Sequence, residues 1–249
     1  MSKTTRDYLD QYREHFWQVP HEAEANVCRL CLGAVPGTSE QCFNCYEILR
    51  RSAAPRSLRG RVVPMSIARN PGPWYWILES YKRGAFPEYA PVVASLAHEW
   101  LKAHAAGLHE LLGGEPDLLT IVPSKKPRVT FDSQHLRLAL ALVKPLAERL
   151  EPTLECVNPG AYHRTKYAPE MFRASGAAIA GKRIVLIEDT WITGATAVSA
   201  AGALLNGGAD SVAIVPIARD FRVQFHEEDH PYLARIARSY DVRSWPRSS

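Results

Sequence analysis

The stretch Arg183-Ile184-Val185-Leu186-Ile187-Glu188-Asp189-Thr190-Trp191-Ile192-Thr193-Gly194-Ala195-Thr196 decides how the chain is read. Ile184 to Ile187 is short, rich in β-branched residues and apolar at successive positions, the pattern of a strand buried on both faces of a parallel sheet. Ligands collect beyond the carboxyl ends of such strands. Here that end carries two acids and then a Thr-Gly-Ala-Thr turn. Thr193 and Thr196 offer hydroxyls, Gly194 removes a Cβ that would block close approach of an anion, and the turn supplies a row of backbone N–H groups. Ala197 to Leu205 reads as a helix, whose unsatisfied N–H groups and positive dipole end face the same spot. Together these describe a phosphate cradle. Glu188 and Asp189 would repel that anion; they suit hydrogen bonds from a ribose diol or an indirect role around a divalent cation. The plainer alternative is a surface strand end with a polar cap, since capping alone accounts for Thr196.

Working outward, Leu118 to Pro123 reads as a second strand that also runs into a charged turn, Ser124-Lys125-Lys126-Pro127-Arg128. Such a turn is either chemistry complementary to the acids of the first strand end or a solvated basic surface. Ser133 to Leu150 is expected as a crossover helix, Thr153 to Val157 as a third strand, and Val212 to Ile217 as another after the Asn206-Gly207-Gly208 stop. Strands separated by helices predict an α/β fold built on a doubly wound parallel sheet. Val62 to Ile67 reads as an edge strand, and Trp74, Ile77, Leu78 and Tyr81 recur at helical spacing. Tyr89 to Leu112 reads as one long helix ended by Gly113-Gly114. Ala161 to Arg173 is long, polar and aperiodic; its Arg164, Lys166 and Arg173 either close over a bound anion or are ordinary loop charge. Cys156, alone in an expected strand, reads as a buried structural thiol.

With 249 residues and 46% hydrophobic content, the chain can bury one sizeable α/β domain plus a small appendage. A net charge of +4 suits anionic ligands and falls well short of a dedicated nucleic-acid wrapper. The charged beginning and the lack of a long apolar run predict a cytoplasmic protein without membrane insertion. Cys28-x2-Cys31 and Cys42-x2-Cys45 have the spacing of a tetrahedral structural Zn2+ site, in which four thiolates leave no open position for catalysis. Disulfides and a vestigial site are the alternatives. The expected organisation is an N-terminal helix (1–20), a zinc knuckle (21–50), an Arg-rich linker (51–61), an α/β domain (62–220) and a C-terminal extension (221–249). In the extension, His226 and His230 flank three acids, read as solvated charge rather than a metal site.

Ile184 to Thr196 resembles the signature of the type I phosphoribosyltransferases: four apolar residues, two acids, an apolar-leaning stretch and a Thr-Gly-x-Thr phosphate loop. The resemblance implies that Thr193, Gly194, Ala195 and Thr196, with Thr190 in the same stretch, bind 5-phosphoribosyl 1-pyrophosphate through its 5′-phosphate. It further implies that Glu188 and Asp189 meet the ribose hydroxyls as the catalytic acids, and that Mg2+ accompanies the diphosphate. Ile192 stands where purine-salvage members place an aspartate that assists the base, and isoleucine cannot take a proton. A four-cysteine knuckle ahead of this segment, with Tyr81-Lys82-Arg83-Gly84 between them, resembles the ComF family of competence-associated proteins over roughly residues 25 to 220. By that resemblance Ser124, Lys125, Lys126 and Arg128 meet pyrophosphate, although Arg128-Val129-Thr130-Phe131-Asp132-Ser133-Gln134 stands in place of the family's Arg-Gly-Phe-Asn-Gln. Two functions follow. One is transfer of ribosyl phosphate to an unidentified acceptor. The other is a non-catalytic ligand-sensing or DNA-uptake accessory protein, whose zinc knuckle and linker arginines Arg50, Arg51 and Arg56 contact nucleic acid or a DNA-uptake partner.

Overall fold

The computed structural model describes residues 3–48, 54–58, 60–84, 86–126, 128–226 and 230–247, so the expected contacts of Arg50, Arg51 and the Arg56 side chain lie outside what is described. Its strands are β1 (Ile67–Asn70), β2 (Leu118–Ile121), β3 (Leu154–Cys156), β4 (Phe172–Ala174), β5 (Arg183–Trp191) and β6 (Ser211–Arg222). Four of them form a parallel sheet in the order β1-β6-β5-β2. Successive residues of β5 and β6 face opposite sides, and both sides are covered. Val185, Ile187, Ala213 and Val215 share a core with the helices Pro73–Lys82, Ala90–Ala103 and His135–Leu140. Ile184, Leu186, Val212 and Ile214 share another with the helix Ala195–Asn206 and the four clustered cysteines. Cover on both faces is why these strands are apolar at successive positions. No helix among the described residues is long and apolar enough to cross a membrane.

The architecture departs from expectation in several places, each for a local reason. Residues 153–157 do not join the main sheet; β3 pairs antiparallel with β4 in a separate two-stranded ribbon. Only Leu154 of β3 is buried and Glu155 is exposed, a one-sided pattern that a central parallel strand cannot use. Cys156 is accordingly half-buried rather than buried. What reaches the outer edge of β2 is the preceding turn, through Leu119 N to Arg149 O (3.0 Å) and Glu151 N to Leu119 O (2.9 Å).

The expected crossover helix is two short ones, His135–Leu140 and Lys144–Ala147. Pro145 has no N–H to offer the preceding turn, so it sits in the first turn of a new helix instead. The long helix after Tyr89 likewise divides into Ala90–Ala103 and Ala105–Leu112 at His104, where φ is −111° and ψ 22°. His104 is buried against the rings of Trp100 (4.6 Å) and Trp245 (5.2 Å). That burial lowers its pKa to about 4, so the imidazole is neutral.

Strand β1 starts at Ile67, later than the expected 62–67, yet Val63 N and Met65 N already bond to Ile214 O (2.9 Å) and Pro216 O (2.8 Å) of β6. The first helix, Thr5–Tyr12, carries a capping box between Thr4 and Asp7 and covers only part of the 1–20 segment expected as a helix. Chain beyond β6 returns to the front of the molecule: Tyr232 Oη donates to Leu32 O (2.7 Å) and Tyr240 Oη to Met65 O (2.9 Å). His226 stacks on Phe221 at 4.6 Å and meets His230 edge-on, while the three acids between them lie outside the described residues.

Candidate functional site

Strand β5 continues through Glu188 and Asp189 to Trp191, which places the acids inside the strand rather than after it. Beyond it, Gly194 caps the Ala195–Asn206 helix, leaving the first N–H groups of that helix without intrahelical partners. The carboxyl ends of β2 and β5 therefore open side by side. A cavity of about 410 Å³ forms between them, with Ser124, Lys125 and Lys126 on one wall and Glu188, Asp189, Thr190, Thr193, Gly194 and Thr196 on the other. Two expected site residues are not on its surface. Ala195 is buried behind the wall, and Arg128 is exposed outside it with a left-handed φ of 66°.

The glycine of the turn is needed for a reason other than the one the sequence offers. Gly194 has φ of 87°, and a Cβ built there would run into the six-membered ring of Trp191 rather than into the cavity. Left-handed backbone and contact with the indole, not clearance for an anion, fix this residue. Lys125 Nζ bridges the two walls by donating to Thr196 Oγ1 at 3.3 Å, and it lies 3.4 Å from the centre of the Tyr162 ring. Burial pulls its pKa below the usual lysine value, against the nearby charges of Glu188, Cys156 and Asp189. Gln134 braces the basic turn, donating through Nε2 to Val122 O (2.7 Å) and accepting from Ser124 N (3.2 Å).

The two acids are in different chemical states. Asp189 Oδ1 pairs with Lys82 Nζ at 3.1 Å, and the same ammonium donates to Thr190 Oγ1 at 2.7 Å. Glu188 is buried, with Oε2 lacking any hydrogen-bond partner among the described residues. Desolvation, then the charge of Asp189, raises its pKa to about 8 against the opposing pull of Lys82 and Lys125. At neutral pH Glu188 is therefore mostly a protonated carboxyl, able to donate as well as accept. Lys82 is a site residue that sequence reasoning missed, noting it only within the Tyr81-Lys82-Arg83-Gly84 helix end. It is the last residue of the Pro73–Lys82 helix, and a lysine at a helix end reads as an ordinary dipole partner.

A second cavity, of about 770 Å³, adjoins the first and shares Tyr162, Ile192 and Thr193 with it. Its other walls include Phe43 and Asn44 beside the cysteines, His163 and Arg164, and Asp220 and Arg222 at the end of β6. Of the three cations expected over the site, Arg164 alone borders either cavity. Lys166 borders neither, and Arg173 pairs with Glu155 at 2.6 Å on the ribbon.

The sulfurs of Cys28, Cys31, Cys42 and Cys45 are buried and lie within 4.8 Å of one another. Cys31 and Cys42 sulfurs are 3.8 Å apart, and a tetrahedron with Zn–S bonds of about 2.3 Å has edges of about 3.8 Å. The donor set and its spacing thus fit a closed Zn2+ centre. Among the described residues no other group of three or more His, Cys, Asp or Glu side chains is close enough to share an ion. The guanidinium of Arg219 faces this centre; burial alone would lower its pKa, but the sulfurs of Cys31 and Cys42 outweigh that and hold it above the usual value.

No protein-family model matches the chain, and no curated protein does. One solved structure, described as the allosteric regulatory enzyme of purine biosynthesis, is similar with 20% identity and a TM-score of 0.29 over 48% of this chain. The chain spans 26% of that protein's length. A likeness of that extent says nothing about chemistry.

Proposed function

We propose that the chain is a phosphoribosyltransferase-like protein, built on a doubly wound sheet of the type I kind with an N-terminal zinc knuckle, and that it binds 5-phosphoribosyl 1-pyrophosphate. The observation that carries this reading is the single cavity that gathers Lys125, Lys126, Glu188, Asp189 and the Thr193–Thr196 turn. The ComF resemblance adds only the pairing of this turn with the four-cysteine centre.

In this reading the turn and the helix amides behind it hold the 5′-phosphate. Asp189, kept in place by Lys82, accepts from one ribose hydroxyl, and Glu188 exchanges a hydrogen bond with its neighbour. Lys125 and Lys126 face the diphosphate. When the acceptor attacks C1′, the C1′–O bond breaks and its electron pair leaves on diphosphate, where the two ammonium groups stabilise the growing charge. Magnesium, if bound with the ligand, would supply further charge neutralisation. Of the two acids, Asp189, already tied to Lys82, is the carboxylate that would be offered to such a cation, since Glu188 holds its proton at neutral pH. The acceptor enters from the adjoining cavity, past Ile192. Tyr162, lying over Lys125, shields the reacting carbon from water.

A second reading, ligand sensing without turnover, is favoured by Ile192, an apolar residue between the two cavities where a base would be useful. Pyrophosphate release separates the two. The full chain with 5-phosphoribosyl 1-pyrophosphate, magnesium and a panel of nucleophiles releases it if the chain is a transferase; saturable binding without release establishes the sensor; absence of binding rejects both.

A further inference from the structure

Arg219 stands between the cysteine centre and the phosphate-loop candidate. It lies near the carboxyl end of β6, with its Nε out of contact with solvent. Toward the centre there is no slack: a Cβ at Gly33 would fall 2.8 Å from both Nε and Nη2. Toward the loop, Nη1 donates to the carbonyl of Trp191 at 3.4 Å and to the carbonyl of Asp220. The carboxylate beside it, Asp220, pairs through Oδ2 with Arg222 Nε at 2.8 Å, while its Oδ1 is buried without a hydrogen-bond partner among the described residues. The sulfurs of Cys31 and Cys42 are the charges that favour the Arg219 cation most, and four thiolates around a divalent ion carry a net charge of about −2.

Trp191 completes the connection. Its indole is buried in the same core as the four cysteines and lies where a Cβ on Gly194 would be. The knuckle thus reaches the Thr193–Thr196 turn in two contacts: Gly33, whose carbonyl accepts from Cys28 N at 2.7 Å, against the guanidinium, and the guanidinium against the residue on which the turn rests. We propose that Arg219 is a positioning residue that couples metal occupancy of the cysteine centre to the shape of the Thr193–Thr196 loop, so that the loop holds its anion-binding form only while the metal is bound. Without metal the Cys28–Gly33 turn loses its anchor, and with it the surface against which the guanidinium is packed. The second cavity, which Arg219 borders, gives it somewhere to go, and its departure frees the Trp191 carbonyl. The ligand of the loop rests on the function proposed above; the coupling itself does not.

Hydrogen–deuterium exchange of the 191–198 amides, measured beside metal affinity by chelator competition, tests this on the full chain. Stripping metal from the wild type should raise exchange in that segment. Arg219→Met should lower metal affinity about 10–100-fold, as loss of an outer-shell partner does, and should raise loop exchange even with metal bound. Arg219→Lys keeps a charge beside the sulfurs but cannot fork to the Trp191 carbonyl. It should therefore retain most of the metal affinity and still show the faster loop. If stripped protein unfolds altogether, the two metal-loaded variants decide alone. Loop exchange in metal-loaded Arg219→Met equal to that of the wild type overturns the proposal, as does a Lys variant indistinguishable from wild type in the loop. Calorimetry with 5-phosphoribosyl 1-pyrophosphate separates the two ideas: no binding with coupling intact rejects the function and leaves the coupling standing.

Discussion

Replacing Gly194 by alanine adds one methyl group, and the geometry says what it should cost. The residue has φ of 87°, so any L side chain there strains the backbone, by about 1–2 kcal/mol. The new Cβ also meets Cζ2, Cε2 and Cη2 of Trp191, a fully buried ring, and forcing an extra carbon into a packed core costs about 1–3 kcal/mol. Gly194→Ala should therefore destabilise by about 2–5 kcal/mol, a large share of the roughly 5–15 kcal/mol that holds a domain folded. Urea unfolding followed by circular dichroism measures it. A double-mutant cycle with Trp191→Leu then separates the two parts, because leucine removes the ring atoms that the methyl would strike. The cycle should return a favourable coupling of about 1–3 kcal/mol, leaving the backbone strain behind. A Gly194→Ala protein as stable as the wild type, or a cycle with no coupling, would refute the view that Trp191 rather than an anion selects this glycine.

Glu188 makes stability depend on pH. Its pKa rises from 4.5 to about 8 on folding, so the native state holds the proton more tightly. The resulting stabilisation is whole below the unfolded value and is lost as pH climbs through the folded one, by at most about 1.4 kcal/mol per unit. Unfolding free energies between pH 5 and pH 8 should fall in the wild type and stay flatter in Glu188→Gln; parallel slopes would exclude Glu188 as the source. Lys82→Met leaves Asp189 without its cation. The exposed side of that pair limits the effect on stability, but sugar-phosphate affinity should drop by about tenfold, or about 1.4 kcal/mol; unchanged calorimetric affinity would remove Lys82 from the site. Cys45→Ser should abolish zinc retention through gel filtration, because a closed tetrahedral centre needs all four thiolates; full metal content in the variant would contradict the four-sulfur centre.

What could be read in advance was chemistry written in consecutive residues. Ile184 to Ile187 had to be buried on both faces, and the Thr-Gly-Ala-Thr turn had to open a helix, because those patterns are local. The cysteine spacing was legible for the same reason. Long-range partners were not. Lys82 meets Asp189 only because a helix end and a strand end converge across the sheet, and nothing near Lys82 in sequence marks that meeting. The state of Glu188 depends on burial by surrounding elements, so its sequence neighbour Asp189 suggested two equivalent acids where there is one ion pair and one buried carboxyl. Residues 153–157 have the composition of a strand but lack the second apolar face, and that difference put them in the ribbon. The reason for Gly194 depended on which way the Trp191 ring turns.

A crystal structure of the full chain grown with 5-phosphoribosyl 1-pyrophosphate and magnesium would test the sugar-phosphate site most directly. It should place the 5′-phosphate on the amides of residues 193–196, the ribose hydroxyls against Glu188 and Asp189, and the diphosphate within reach of Lys125 and Lys126. A ligand bound elsewhere, or a cavity left empty at saturating concentration with those amides turned into the protein, would contradict it.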